Sequence, residues 1–143
     1  MTVSSILKDK GREVATISPD ATLQDAAGVL AERRIGAVVV TDFAGRVAGI
    51  LSERDIVRAT AGSGCDALKE PVAAYMTREV VTCTAADTTE RLMEMMTSGR
   101  MRHLPVVEDG KLAGIISIGD VVKRRIADAE LEAESLKAYI ASG

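Results

Sequence analysis

A serine and an aspartate three residues apart, preceded by a glycine and two aliphatic residues, occur twice in this chain. The copies are Gly49-Ile50-Leu51-Ser52-Glu53-Arg54-Asp55 and Gly114-Ile115-Ile116-Ser117-Ile118-Gly119-Asp120. Each reads as a junction where a strand ends and a helix begins, with the serine at the helix N-cap. The amides of a first helical turn, backed by the positive end of the helix dipole, attract phosphate. An aspartate three residues on can offer two carboxylate oxygens to a pair of vicinal hydroxyls, as acidic residues do for ribose in dinucleotide sites. The same residues also meet a simpler need. The serine oxygen can take a backbone N–H while the carboxylate returns to the serine amide, which is a plain capping pair. A single copy favours the cap. Two copies at equivalent places, each with its glycine, favour a nucleotide site, although duplication of a structural cap would look the same.

The elements that must position these junctions repeat as well. Thr16 maps to Thr82 and Arg34 to Arg100, an offset of 66; after a turn shortened by one residue, Gly49 maps to Gly114 and Asp55 to Asp120, an offset of 65. A period this long means two copies of one supersecondary unit. Each unit opens with a short apolar turn (Val3 to Leu7; Val72 to Met76) and an extended piece (Glu13 to Ile17; Val80 to Thr84). A helix follows. Thr22 with Asp25 caps the first, and Leu23, Ala26, Ala27 and Leu30 share a face. Asp87 and Glu90 read as the capping pair of the second, with Leu92, Met95 and Met96 on its face. Two strands in a hairpin come next, Ala37 to Thr41 with Val47 to Ser52, and Leu104 to Val107 with Leu112 to Ser117. A second helix starts at Glu53 and at Ile118.

The expected fold is therefore mixed α/β: two β-α-β-β-α units related by approximate two-fold symmetry, with a cleft between them. Residues 1–65 and 66–127 form the units, and 128–143 extend the last helix. The Gly- and Ser-containing stretch Ala59 to Pro71 reads as a linker, with Pro71 opening the short helix after it. In the extended helix, Val122, Ile126, Ala129, Ala133, Leu136 and Ile140 recur at 4, 3, 4, 3, 4, a heptad seam flanked by charged residues. Such a helix either packs back on its own domain or pairs with a second copy.

Composition excludes several classes. The 143 residues are 47% hydrophobic but only 2% aromatic, so Val, Ile, Leu, Ala and Met must build the core. A net charge of −3 argues against nucleic-acid binding through a general basic face. No apolar run approaches the ~20 residues of a membrane span. The N-terminus shows no apolar core followed by a cleavage site. Cys65 and Cys83 form no C-x-x-C pair and lack metal spacing, so free thiols, no metal site and a cytoplasmic setting are expected. No nucleophile–base set is suggested, so no catalytic residues are assigned.

The two units resemble CBS repeats, and the pair resembles a Bateman module. The residues that carry this are the G-I-L-S-E-R-D and G-I-I-S-I-G-D junctions, the Arg100 to Val107 stretch R-M-R-H-L-P-V-V, and Tyr75 to Thr77. The resemblance spans roughly residues 3–127 and is closest to stand-alone CBS-pair proteins. It implies an adenine nucleotide as ligand: AMP foremost, with ATP, ADP, NAD(H) or S-adenosylmethionine as alternatives. It implies that Asp55 and Asp120 hold ribose hydroxyls and that Ser52 and Ser117 lie near phosphate. It implies that adenine rests against Ile35, Gly36 and Ala37 in one unit and Met101, Arg102, His103 and Leu104 in the other. Thr16 and Thr82 would close the pockets. Pro105, Ile118 and Gly119 join the adenine set of the second unit. Unit one lacks the family's common proline, having Val39 near the place of Pro105, and it has Glu53-Arg54 where unit two has Ile118-Gly119, so the two pockets should differ.

An acidic protein needs local cations to hold an anion, and Arg54, Arg102 and His103 are the candidates. For Arg102 a solvated edge position is an equal alternative, and for His103 a structural hydrogen bond. Met76 and Met101 are candidates to lie against an adenine ring. The expected function is a non-catalytic regulatory sensor that signals to an unknown partner protein. An edge-to-edge homodimer is implied by the resemblance. The alternatives are an oligomerisation module without ligand and a nicotinamide-cofactor enzyme.

Overall fold

The computed structural model describes residues 2–142. Its five α-helices and five strands are α1 (Val3–Lys10), β1 (Thr16–Ile17), α2 (Leu23–Arg33), β2 (Ala37–Thr41), β3 (Val47–Ser52), α3 (Glu53–Ser63), α4 (Thr89–Gly99), β4 (His103–Glu108), β5 (Lys111–Ser117) and α5 (Ile118–Ser142). In unit one β1 pairs parallel to β2, which pairs antiparallel to β3. In unit two β4 and β5 form an antiparallel pair, with His103 opposite Ser117 as Ala37 is opposite Ser52. The expected second lead-in strand is reduced to one parallel bridge, Cys83 with Val106. Two backbone bonds hold it, Cys83 N–H to the Pro105 carbonyl and Val107 N–H to the Cys83 carbonyl.

Both hairpins and both helix starts after the serines fall where the sequence places them, apart from a residue or so at the edges of β4 and β5. Thr22 and Asp25 form a reciprocal capping box on α2. The capping pair expected at Asp87 and Glu90 is corrected. Thr88 is the cap of α4, its hydroxyl accepting from the Arg91 amide, while the Asp87 carboxylate accepts from the Thr84 amide in the preceding turn. The linker is corrected too. Helix α3 runs on to Ser63, Gly64 ends it at φ 69°, and a 3-10 segment covers Gly64–Lys69. Ala67 in that segment is buried in the core, so glycine and serine here stop a helix rather than loosen a chain.

There are two cores. One gathers Leu23, Ala26, Leu30, Val38, Val40, Leu51, Ala59, Ala67 and Val72, with Met76 packed against it; the other gathers Val3, Ile6, Leu7, Cys83, Leu92, Met96, Leu104, Val106, Ile116 and Val121. The opening apolar segment of each unit therefore packs in the other unit's core. The Val3 and Ser4 amides donate to the Asp87 and Ala85 carbonyls at 2.9 and 3.0 Å; the Val72 and Ala73 amides donate to the Ala21 and Pro19 carbonyls at 2.7 and 3.0 Å. The donors are offset by 72 − 3 = 69 and the acceptors by 87 − 21 = 66. The exchange is thus symmetric, and it fixes which residues of the opening segments are equivalent.

Candidate functional site

The two serine–aspartate junctions are local structures before they are anything else. Asp55 Oδ2 accepts from the Ser52 amide at 2.8 Å and the Ser52 hydroxyl at 3.1 Å, and the Asp55 amide donates back to Ser52 Oγ at 3.3 Å. Ser117 and Asp120 repeat this at 2.9, 3.0 and 3.2 Å. The first helical amide is engaged as well: Glu53 N–H donates to the Gly36 carbonyl and Ile118 N–H to the Arg102 carbonyl. Each helix tip therefore presents fewer open amides than its sequence suggests. In α3 the Arg54 amide is the one without such a partner among the described residues. Cap and ligand site are not exclusive, because both serine donors fall on Oδ2 of Asp55 and leave Oδ1 for another donor.

Asp55 lines a cleft of about 410 Å³ between the units. Unit one lines it with Gly36, Ala37, Ile50, Ser52, Glu53, Arg54, Asp55 and Arg58, and the other wall is Thr77, Glu79, Val80, Val81 and Gly99 to His103. Four arginines (Arg54, Arg58, Arg100, Arg102) and His103 converge there against Glu53, Asp55 and Glu79. A net positive lining in an acidic protein suits an anion that also carries hydroxyls.

The cleft thus brings together Ser52, Arg54, Asp55, Gly36, Ala37, Met101, Arg102 and His103 of the expected set. It does not bring in the rest. Leu104 is fully buried in the second core, and Pro105 is buried beside it, because strand β4 turns that stretch inward. Met76 packs against the first core and meets Gly49, and Ile35 packs on the same core. Thr16, Thr82, Ile118 and Gly119 are exposed outside this cleft. Arg58, Glu79, Val80, Val81 and Arg100 were missed. A signal existed for two of them. Arg58 aligns with Lys123 in the repeat, so both copies carry a cation there. Arg100 aligns with Arg34, and both end a helix in the left-handed region, at φ 54° and 55°.

The second junction has other surroundings. Lys10, at the end of α1, places Nζ 2.7 Å from Asp120 Oδ2 and 2.9 Å from the Ile115 carbonyl oxygen. The groove beside this pair, about 310 Å³, is lined by Ile6, Asp9, Lys10, Asp120, Lys123, Arg124 and Ala127. Burial works to raise the Asp120 carboxyl, but hydrogen bonds from Lys10 and Ser117 outweigh it and hold the group below the ordinary carboxylate range. Burial lowers the His103 imidazole below its usual value; Lys10 and Arg102 push the same way, against Asp120 and Glu53. Among the described residues no cluster of His, Cys, Asp or Glu could hold a metal, and no helix is long and apolar enough to cross a membrane. Both cysteines are free thiols, and burial, with Asp87 adding, pushes Cys83 up to about 12.

Comparison with known proteins agrees with this architecture. The CBS domain profile matches residues 3–62 and 72–127. A mitochondrial CBS domain-containing protein of Arabidopsis thaliana, CBSX3, is 33% identical over 99% of this chain and 73% of its own length. Among solved structures, the CBS-domain containing protein ATU1752 from Agrobacterium tumefaciens is 54% identical, with TM-score 0.84 over 87% of this chain and 99% of that one. The CBS domain protein PAE2072 from Pyrobaculum aerophilum, solved in complex with AMP, is 30% identical, with TM-score 0.76 over 84% of this chain and 89% of that one.

Proposed function

The chain belongs to the CBS-domain family and carries two copies of the repeat, and on that premise we propose that it is a non-catalytic sensor of adenine nucleotides, AMP foremost. The observation that carries this is a single juxtaposition: a carboxylate with one oxygen open, Asp55, shares an inter-unit cleft with four arginines and a histidine. A ribose diol suits the carboxylate and a phosphate suits the guanidinium groups. The AMP complex of the 30% identical Pyrobaculum protein supports the same ligand class. The cleft spans both units, so a ligand there biases their relative packing, and a regulated partner reads the change.

Asp55→Asn is the test. Asparagine keeps an oxygen for the Ser52 donors but loses the charge. The expected result is a tenfold to hundredfold loss of AMP affinity by calorimetry, corresponding to ~1.5–3 kcal/mol, with little change in melting temperature. Equal AMP affinity in both proteins would reduce Asp55 to a helix cap and sink the reading.

A homodimer belongs to this proposal. Val57 on α3 is 64% exposed, and on α5 Val122, Ile126, Leu136 and Ile140 are 42, 55, 59 and 68% exposed. The seam of α5 therefore does not pack on its own domain. If a second copy lies parallel along it, Arg125 faces Glu130 and Glu132 faces Lys137 of that copy, both attractive pairs flanking the apolar stripe. In the single chain Arg125 binds Glu90.

A further inference from the structure

The two junctions are equal in sequence pattern and unequal in what faces them. The opening segments are related by an offset of 69, fixed twice over. The Val3 and Val72 amides make matching bonds across the units. Leu7 approaches Gly114 as Met76 approaches Gly49, and 76 − 7 = 69. The same offset carries Lys10 to Glu79. Glu79 lines the Asp55 cleft, and a carboxylate there offers Asp55 no ion pair. Lys10 does the opposite. Its ammonium is clipped to Asp120 Oδ2 and to the Ile115 carbonyl at 2.7 and 2.9 Å. In the first unit the carbonyl equivalent to Ile115, that of Ile50, takes the Thr77 amide at 2.9 Å instead. One charge inversion at equivalent positions thus leaves one carboxylate without a cation and clips Oδ2 of the other to an ammonium.

We propose that Lys10 is a built-in occupant of the Asp120 seat, so that the chain takes one nucleotide, in the Asp55 cleft, and excludes a second. The assignment rests on the nucleotide reading above. A ribose diol that takes both oxygens of Asp120 has to displace a charge-assisted bond on Oδ2 to a partly buried ammonium, whose side chain is 30% exposed against 24% for Asp120. Among the described residues no ion pair of this kind is made by Asp55. Lys10 also makes the two sites differ in kind: a neutral diol competes with a bonded cation at Asp120 and with none at Asp55.

Calorimetric titration of the whole chain with AMP tests this through stoichiometry. The native protein should bind one AMP per chain. Lys10→Met, which keeps the apolar stem and removes the ammonium, should bind two, and Lys10→Met combined with Asp55→Asn should return to one. Lys10→Gln serves as a second variant should the methionine impair folding, with a thermal melt confirming that each form is folded. Two AMP per native chain would overturn the assignment and leave the nucleotide reading intact. One AMP in both folded Lys10 variants would also overturn it. No binding by any form would overturn the nucleotide reading and this assignment with it.

Discussion

At the scale of single residues, His103 sits where both junctions act on it. It begins β4 opposite Ser117, and its ring lies 3.8 Å from where a side chain on Gly36 would start. Burial disfavours its charged form, Lys10 and Arg102 add to that, and Asp120 and Glu53 oppose. The sign of the consequence follows from linkage. With the folded value depressed, the unfolded chain takes the proton first, so stability falls as pH drops below the ordinary imidazole value of about 6.5 and is unaffected above it. The melting temperature should therefore decline between about pH 7 and 5.5, and His103→Gln should flatten that decline. If the variant keeps the native slope, other groups are responsible. AMP should reverse the trend, since phosphate favours the imidazolium, and its affinity should rise over the same interval.

At the scale of elements, the close approach behind each junction explains its glycine. A Cβ on Gly49 would lie 2.6 Å from Met76 Sδ and 2.8 Å from the Thr77 carbonyl oxygen; on Gly114 it would lie 2.8 Å from a Leu7 methyl. The Thr77 backbone is bridged to Ile50 and has little room to move, whereas Leu7 can rotate. Gly49→Ala should cost ~1–3 kcal/mol by overpacking, and Gly114→Ala less, as read from urea midpoints. An equal cost would mean that Leu7 is as fixed as backbone.

These same elements show what the sequence discloses and where it stops. Alternation, turn glycines and the serine–aspartate spacing are local signals, and they locate both hairpins and the starts of α3 and α5 closely. The cap of α4 was legible by a better use of the repeat, because an offset of 66 carries Thr22 to Thr88. The interior of Ala59 to Pro71 was not, since its glycines suit a loop as well as a helix end, and only the burial of Ala67 decides. The candidate site divides in the same way. Asp55, Ser52, Arg54 and the strand start at Gly36 follow from the motif. Lys10 arrives from a distant segment, and no periodicity in the chain announces its contact with Asp120 across 110 residues.

At the scale of the molecule, the apolar stripe on α5 is left exposed in the single chain. Leu136→Asp places a charge in the middle of the stripe and touches neither core. It should halve the apparent mass in size-exclusion chromatography with light scattering while leaving AMP binding to a single chain in place. A native protein already monomeric at tens of micromolar would remove the dimer from the proposal.

The reciprocal seating of the lead-in segments also sets a schedule for synthesis. Val3, Ile6 and Leu7 leave the ribosome long before Ile116 and Val121, which share their core. Between Leu7 and Gly114 lie 114 − 7 = 107 positions, which at ~5–20 residues per second is roughly 5–20 s of translation. For that interval a sticky amino-terminal helix has no home and hangs in solution, so chaperone capture or a bulky amino-terminal fusion should disturb the yield of this protein more than its finished stability.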